Sequence, residues 1–146
     1  MKMRILLALL ILIFCCVAQS YADDGVKTPE KSDFSSDKLV VLWSSGDRDV
    51  ALKMVFMYVG NSKRFGWWQD VTLIVWGPSS KLLSEDKELQ ESVSAMIKSG
   101  ITVKACKACA DEYGVSAELG KLGIDVKYMG QEFTDYLKNG KYIITF

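Results

Sequence analysis

Two cysteines, Cys106 and Cys109, are the residues of this chain best suited to chemistry, because two residues alone separate them. Cysteine thiolates attack electrophilic sulfur and carbon, and two neighbouring thiols can also form a disulfide. The chain of 146 residues contains no histidine. That composition excludes Ser-His-Asp and Cys-His catalysis and the usual zinc sites. The pair is therefore a reactive thiol site, a structural disulfide or inert thiol pair, or part of a metal site formed in an oligomer.

The other two cysteines, Cys15 and Cys16, lie in a segment with the pattern of a secretory signal peptide. A positively charged start precedes an apolar run at residues 5–18, which is short for a membrane span. Small residues then precede a predicted cleavage point after Ala22. We expect residues 1–22 to be removed and the protein to be periplasmic or secreted. An uncleaved membrane anchor is the alternative.

The composition of the rest predicts one ordinary globular domain. Hydrophobic residues make up 49% of the chain and charged residues 25%, and the formal net charge is zero. A neutral chain argues against nucleic acid as a partner, and against a polybasic membrane-surface protein after signal cleavage. Residues 23–37 are polar and without periodicity, which predicts a flexible linker. The domain is expected at residues 38–146.

Short apolar runs alternate with helical patterns along this domain. Strands are predicted at residues 39–43, 71–76, 101–105, 124–129 and 142–146. Helices are predicted at residues 50–59, 89–97, 116–122 and 132–137, with a further one beginning near Lys107. Alternation of this kind predicts an α/β fold, with a mainly parallel five-stranded sheet between helices on both faces.

The helix predicted at residues 50–59 is apolar nearly all round, since Lys53 is its one charged residue. A helix of this kind is normally covered on more than one side. In a domain this small, a second copy of the chain is the expected cover, which predicts a homo-oligomer. An unusually deep monomer core is the alternative.

Sites in an open parallel sheet form beyond the carboxyl ends of its strands. The connections there supply these predicted crevice residues: Ser45, Gly46, Trp76, Gly77, Ser79, Lys104 and Lys107. The two lysines and the free amides of a helix beginning near Lys107 would favour thiolate over thiol. Cys109 is the better placed for that stabilisation and Cys106, at the strand end, for exposure. The sequence favours neither as the nucleophile.

Three stretches of the chain resemble the DsrE/DsrF-like family: residues 38–47 (KLVVLWSSGD), 73–79 (LIVWGPS) and 100–114. The resemblance covers essentially all of residues 38–146. It implies a three-layer α/β/α fold and assembly as trimers or hexamers. Several members of the family are sulfur carriers, in which a cysteine after the third strand accepts and passes on persulfide sulfur. By position, that cysteine corresponds to Cys106 or Cys109.

The residues and the resemblance together predict an exported sulfur-handling protein, a sulfurtransferase or sulfur carrier. It would use Cys106 and Cys109 for persulfide transfer or thiol–disulfide exchange with donor and acceptor proteins, and would need neither a cofactor nor a metal. The alternative is a non-catalytic oligomeric module that binds a small ligand or a protein, with the two cysteines joined in a structural disulfide.

Overall fold

The computed structural model describes residues 37–146. The predicted signal peptide at residues 1–22, and all but the last residue of the predicted linker at 23–37, lie outside the described residues. Within the described part of the chain, no helix has the length and hydropathy needed to cross a membrane.

Five parallel strands form a single sheet in the order β4-β3-β2-β1-β5. The strands are β1 (Lys38–Trp43), β2 (Asp70–Val75), β3 (Thr102–Cys106), β4 (Asp125–Lys127) and β5 (Tyr142–Thr145). The sheet lies between helices on both sides, so the predicted α/β/α architecture is confirmed. Because every strand runs the same way, the loops after β1, β2 and β3 meet at one edge.

The helices connect these strands. They are α1 (Arg48–Val50), continued by a π-helical segment (Ala51–Phe56) and α2 (Met57–Arg64), then α3 (Pro78–Glu85), α4 (Lys87–Lys98), α5 (Lys107–Glu112), α6 (Ser116–Lys121) and α7 (Gly130–Lys138). The sequence patterns do not predict α3, because Gly77, Pro78 and Ser79 are typical of a turn that closes a strand. Proline in the first turn of a helix is well tolerated, since its missing N–H would have no partner there.

The two faces of the sheet carry cores of different size. On one face, here called the major face, the π-helical segment and α2 to α6 cover alternate strand residues such as Val41, Leu73 and Val103. On the other, the minor face, the buried cluster consists of Val40, Ile74, Cys106 and Met129. The covering helix there is α7, none of whose residues is fully buried. Helices therefore cover the two faces very unequally.

The first helix begins at Arg48, two residues before the predicted start at residue 50. The carboxylate of Asp47 accepts hydrogen bonds from the backbone N–H groups of Asp49 (2.8 Å) and Val50 (3.1 Å), which caps α1. In the segment that follows, Val55 and Phe56 are buried, and the ring of Phe56 packs edge-on against Trp43 at 5.1 Å between centroids. Much of the apolar surface that predicted a second copy of the chain thus belongs to the core of a single chain.

Candidate active site

The two cysteines lie where β3 ends and α5 begins. Cys106 is the last residue of β3 and the residue immediately before α5, and Cys109 lies in the first turn of that helix. Both are free thiols, and their side chains are close enough to hydrogen bond to each other. The predicted helix start near Lys107 is confirmed, and it brings both sulfurs to the carboxyl edge of the sheet.

The two thiols differ in their access to solvent. Cys106 is 4% exposed and belongs to the buried cluster of the minor face. Cys109 is half-buried and lines an open cavity of about 310 Å³. The expectation that Cys106 would be the more exposed of the two is wrong. Its side chain points toward the sheet face, and Met129 and Ile74 pack in the same cluster.

The cavity beside Cys109 is built from two connections. Gly77, from the loop after β2, forms one wall, and Ala108, Glu112 and Tyr113, around α5, form the other. The ring of Tyr113 also lines a second cavity of about 280 Å³, with Gly46 and Pro78 among its other walls. Tyr113 is therefore a wall residue of both cavities, and Cys109 lines the first of them.

The pKa of the Cys109 thiol is raised above its ordinary value, chiefly because burial disfavours the charged thiolate. The hydrogen bond to Cys106 and the negative charge of Glu112 raise it further. The backbone N–H of Gly77 donates to the Cys109 sulfur and acts in the opposite direction. Gly77 has φ of +66°, a conformation that suits glycine. The environment thus holds Cys109 mainly as the neutral thiol.

The two lysines expected to favour a thiolate have carboxylate partners instead. Lys107 forms an ion pair with Asp111 one helical turn away. Lys104 lies on β3 but donates to Glu132 on α7, and to the hydroxyl of Tyr136 at 3.0 Å. Neither lysine lines the cavity beside Cys109. The expectation that they would lower the pKa of Cys109 is therefore wrong.

Glu132 is the centre of this ionic cluster on the minor face. Partial burial alone would raise its pKa, but hydrogen bonds from Lys104, Lys127 and Tyr136 outweigh that effect and hold the pKa at about 2. Lys127 approaches Glu132 at 2.8 Å and Asp125 at 2.9 Å. The cluster stabilises the contact of α7 with β3 and β4.

The other predicted crevice residues divide into lining and supporting groups. Gly46 and Gly77 line the two cavities. Ser79 is buried, and its hydroxyl donates to the carbonyl of Trp43 at 2.6 Å, so it fastens the loop after β2 to the end of β1. Ser45 accepts a hydrogen bond from the N–H of Asp47, in the turn before α1. Trp76 packs on Phe133 of the minor face at 5.7 Å between centroids.

Sequence reasoning missed three residues that line the cavity: Ala108 and, with larger side chains, Glu112 and Tyr113. The last two are the ones with a recognisable signal. They stand three and four residues after Cys109, the spacing that places side chains on one face of a helix. That spacing was available as a signal once α5 was predicted to begin near Lys107. Among the described residues, no three cysteine or acidic side chains converge in a group that could hold a metal ion.

The chain matches the model of the DsrE/DsrF-like family over residues 37–146. Among solved structures it is similar to the conserved protein of unknown function BT1422 from Bacteroides thetaiotaomicron, with 43% identity and a TM-score of 0.74, covering 75% of this chain and 95% of that one.

Two more distant structures show the same fold. The ychN protein from E. coli has 15% identity and a TM-score of 0.59, with 75% of this chain and 98% of that one covered. The protein of unknown function MTH1491 from Methanobacterium thermoautotrophicum has 16% identity and a TM-score of 0.57, with 74% and 97% covered. No curated protein matches the chain. The family match spans the whole described domain, cysteine pair included, and the chain belongs to the DsrE/DsrF-like family.

Proposed function

We propose that this protein handles reactive sulfur, with Cys109 as the thiol that accepts a sulfur atom and Cys106 as its partner. Membership of the DsrE/DsrF-like family suggests a sulfur-related role. The observation that carries the proposal is the unequal access of two adjacent thiols. Cys109 opens into a cavity, whereas Cys106 lies behind it in the minor-face cluster.

In the first step, the Cys109 sulfur attacks the outer sulfur of a donor persulfide, R–S–S⁻. The S–S bond of the donor breaks, and its electron pair leaves on the donor thiolate. That thiolate takes up the proton released by Cys109, so the products are the Cys109 persulfide anion and R–SH. Because the leaving thiolate accepts the proton, the step needs no histidine. The raised pKa of Cys109 fits an attack that is activated by the donor itself.

Two second steps are open to the Cys109 persulfide. An acceptor thiol entering the cavity can repeat the first step and carry the outer sulfur away, which restores the Cys109 thiol. Alternatively, Cys106 can attack the inner sulfur, so that a Cys106–Cys109 disulfide forms and hydrosulfide leaves. The second route oxidises the pair and would make the protein a thiol–disulfide exchanger. Both routes start from the same Cys109 persulfide, and only the second uses Cys106 as an attacking thiol.

Sulfur uptake is tested by intact mass after incubation with a persulfide donor. Loading should add about 32 Da, and reductant should remove it. Peptide mapping should place the added sulfur on Cys109. We expect Cys109→Ser to lose uptake, and Cys106→Ser to retain it and to keep the persulfide for longer. The double variant serves as the blank.

A non-catalytic binding module predicts a different outcome. In that case neither single variant changes sulfur uptake, because none occurs, and both lower the melting temperature if the cysteines are joined in a disulfide. Uptake that persists in the double variant would show that the sulfur is held elsewhere in the chain and would overturn the assignment.

We also propose that the protein acts outside the cytoplasm, as the pattern of residues 1–22 suggests. N-terminal sequencing of the protein isolated from its native cells should find Asp23 first. A chain that begins at Met1 in the membrane fraction would contradict this proposal. It would also leave Cys15 and Cys16 in the working protein.

We also propose that the chain forms the predicted homo-oligomer through its first helix. Phe56 is 6% exposed and packs on Trp43, so replacing it would unfold the domain and reveal nothing about assembly. Met54 and Met57 on the same helix are 50% and 56% exposed. Light scattering should show an oligomer, and Met54→Glu with Met57→Glu should reduce the assembled fraction. A monomer at micromolar concentration would contradict the prediction.

A further inference from the structure

The charge around Cys109 differs from the one that the sequence predicts. Five residues line the cavity, and among these Glu112 alone carries a charge. Lys107, two residues before Cys109 in the sequence, is paired with Asp111 and does not line the cavity. Of the described residues that line this cavity, a molecule approaching Cys109 therefore meets one carboxylate and no cation.

The adjoining cavity does not reverse this charge. Lys81 and Glu85 are its charged wall residues, and their charges cancel formally. Tyr113 lines both cavities and is 42% exposed. Tyrosine rings attract cations through the negative charge of their faces. Glu112 and Tyr113 thus both favour a positively charged ligand.

We propose that Glu112 is a specificity-determining residue, which makes Cys109 selective for sulfur compounds that carry a positive charge next to the reacting sulfur. This inference rests on the proposed function, since it names the class of donor for the same thiol. A persulfide or disulfide flanked by a lysine, an arginine or an amine fits the site. Sulfur compounds whose flanking groups add a further negative charge to that of the reacting sulfur are disfavoured.

The physical basis is the position of the carboxylate. Glu112 follows Cys109 by three residues in α5, so the two side chains share one face of the helix. Residues at this spacing have Cβ atoms about 5–6 Å apart. At separations of that order, the interaction of two unit charges is on the order of 1 kcal/mol in a solvated site. It should raise the rate for a cationic reagent about fivefold and lower the rate for an anionic reagent about fivefold. A cationic and an anionic reagent of equal size should therefore differ by about tenfold or more, apart from their intrinsic reactivity.

The test uses three methanethiosulfonate reagents: a trimethylammonium cation and a sulfonate anion of similar size, and a smaller neutral methyl compound as the uncharged reference. In each reaction the Cys109 thiolate attacks the sulfenyl sulfur, a mixed disulfide forms, and methanesulfinate leaves. Rates are measured on the full chain by peptide mapping at Cys109 and divided by the rates with a small free thiol. We expect the cation-to-anion ratio to exceed that of the free thiol about tenfold.

Two variants locate the cause of the selectivity. Glu112→Gln should bring the ratio close to that of the free thiol, and Glu112→Lys should reverse it. Glu118→Gln is the matched control, because Glu118 is an exposed carboxylate on the next helix that does not line the cavity. A change in the pKa of Cys109 alters all three rates alike, so it cancels in the ratio.

A normalised ratio that is the same in the wild type and in Glu112→Gln would overturn the inference. The reagents modify the thiol without any persulfide, so the result is separate from sulfur uptake. If the ratio depends on Glu112 but no sulfur is taken up, the charge selection stands and the proposed function fails. If sulfur is taken up but the ratio does not respond, only this inference fails.

Discussion

The major and minor faces of the sheet differ in how much apolar surface they bury, and the buried thiol Cys106 lies on the minor face. The major face buries an apolar cluster that draws on all but one of the helices. The minor face buries only Val40, Ile74, Cys106 and Met129. A single helix, α7, covers them, and ion pairs from Glu132 help to hold it in place. Of the two thiols, Cys106 is buried on the minor face and Cys109 packs against it from the edge.

The contrast shows how so small a domain can place one thiol in a core and its neighbour beside a cavity. A thiol inside the major core would be fixed by packing on every side and closed to reactants. On the minor face, close to the carboxyl edge, one thiol can be shielded while its neighbour stays open to a cavity. The major face supplies most of the buried apolar surface that stabilises the fold, so the minor face can carry side chains that serve the proposed sulfur chemistry.

The largest expected effect comes from core truncation on the major face. Leu73→Ala should lower the free energy of unfolding by about 3–4 kcal/mol, because Leu73 is fully buried and the cavity left behind cannot collapse completely. Ile143→Ala, on the half-buried minor face, should cost about 1–2 kcal/mol. Urea denaturation measures both. Equal losses would contradict the comparison and would suggest that a second copy covers the minor face.

A smaller effect is expected from the ionic cluster. The pKa of Glu132 is depressed from 4.5 to about 2, so its contribution to stability is complete above pH 4.5 and is lost as the pH falls toward 2. Glu132→Gln should lower the free energy of unfolding at pH 7 by about 1–2 kcal/mol and should flatten the acid limb of the stability profile. Glu118→Gln serves as the exposed control. An unchanged acid limb in Glu132→Gln would argue against the cluster.

Gly77→Ala should lower the free energy of unfolding by about 1 kcal/mol. Alanine at φ +66° is conformationally strained, although its methyl group would meet no atom within 4 Å. Gly77→Ala should also slow the alkylation of Cys109 by disturbing the N–H that donates to its sulfur. The matched control is Gly60→Ala within α2, which should be neutral or slightly stabilising. Equal melting temperatures for the two variants would contradict this prediction.

The smallest effect on stability is expected for Glu112→Gln, which acts on the pH dependence of Cys109 labelling. That pH profile is also the most direct probe of the site. Iodoacetamide labelling should rise with a midpoint above the ordinary thiol value of 9.0, because burial, Cys106 and Glu112 all favour the neutral form. Glu112→Gln should lower that midpoint without changing stability. A midpoint near neutrality in the wild type would restore the expectation based on the two lysines.

The strands and the first helix cap could be predicted from the sequence because their signals are local. Runs of β-branched residues such as 71–75 mark strands buried on both faces, and Asp47 precedes its helix directly. The order of burial of Cys106 and Cys109 could not be predicted. It depends on Met129 and Ile74, which reach the same cluster from distant parts of the chain.

The charges at the site were predictable only in part. The pairing of Lys107 with Asp111 follows from a spacing of four residues in a helix. The pairing of Lys104 with Glu132 joins residues 28 positions apart, and only the docking of α7 on the minor face brings them together. Both lysines are close to the thiols in sequence, but each is paired with a carboxylate and does not line the cavity beside Cys109.

The burial of Cys106 behind Cys109 also gives any disulfide between them a direction. An incoming thiolate can reach the sulfur of Cys109 from the cavity but not the sulfur of Cys106, which is 4% exposed. Reduction must then begin with a covalent bond to Cys109 and expel Cys106 as the leaving group. Every trapped complex with a partner should consequently be linked through the same atom, and the pair would open from one side only.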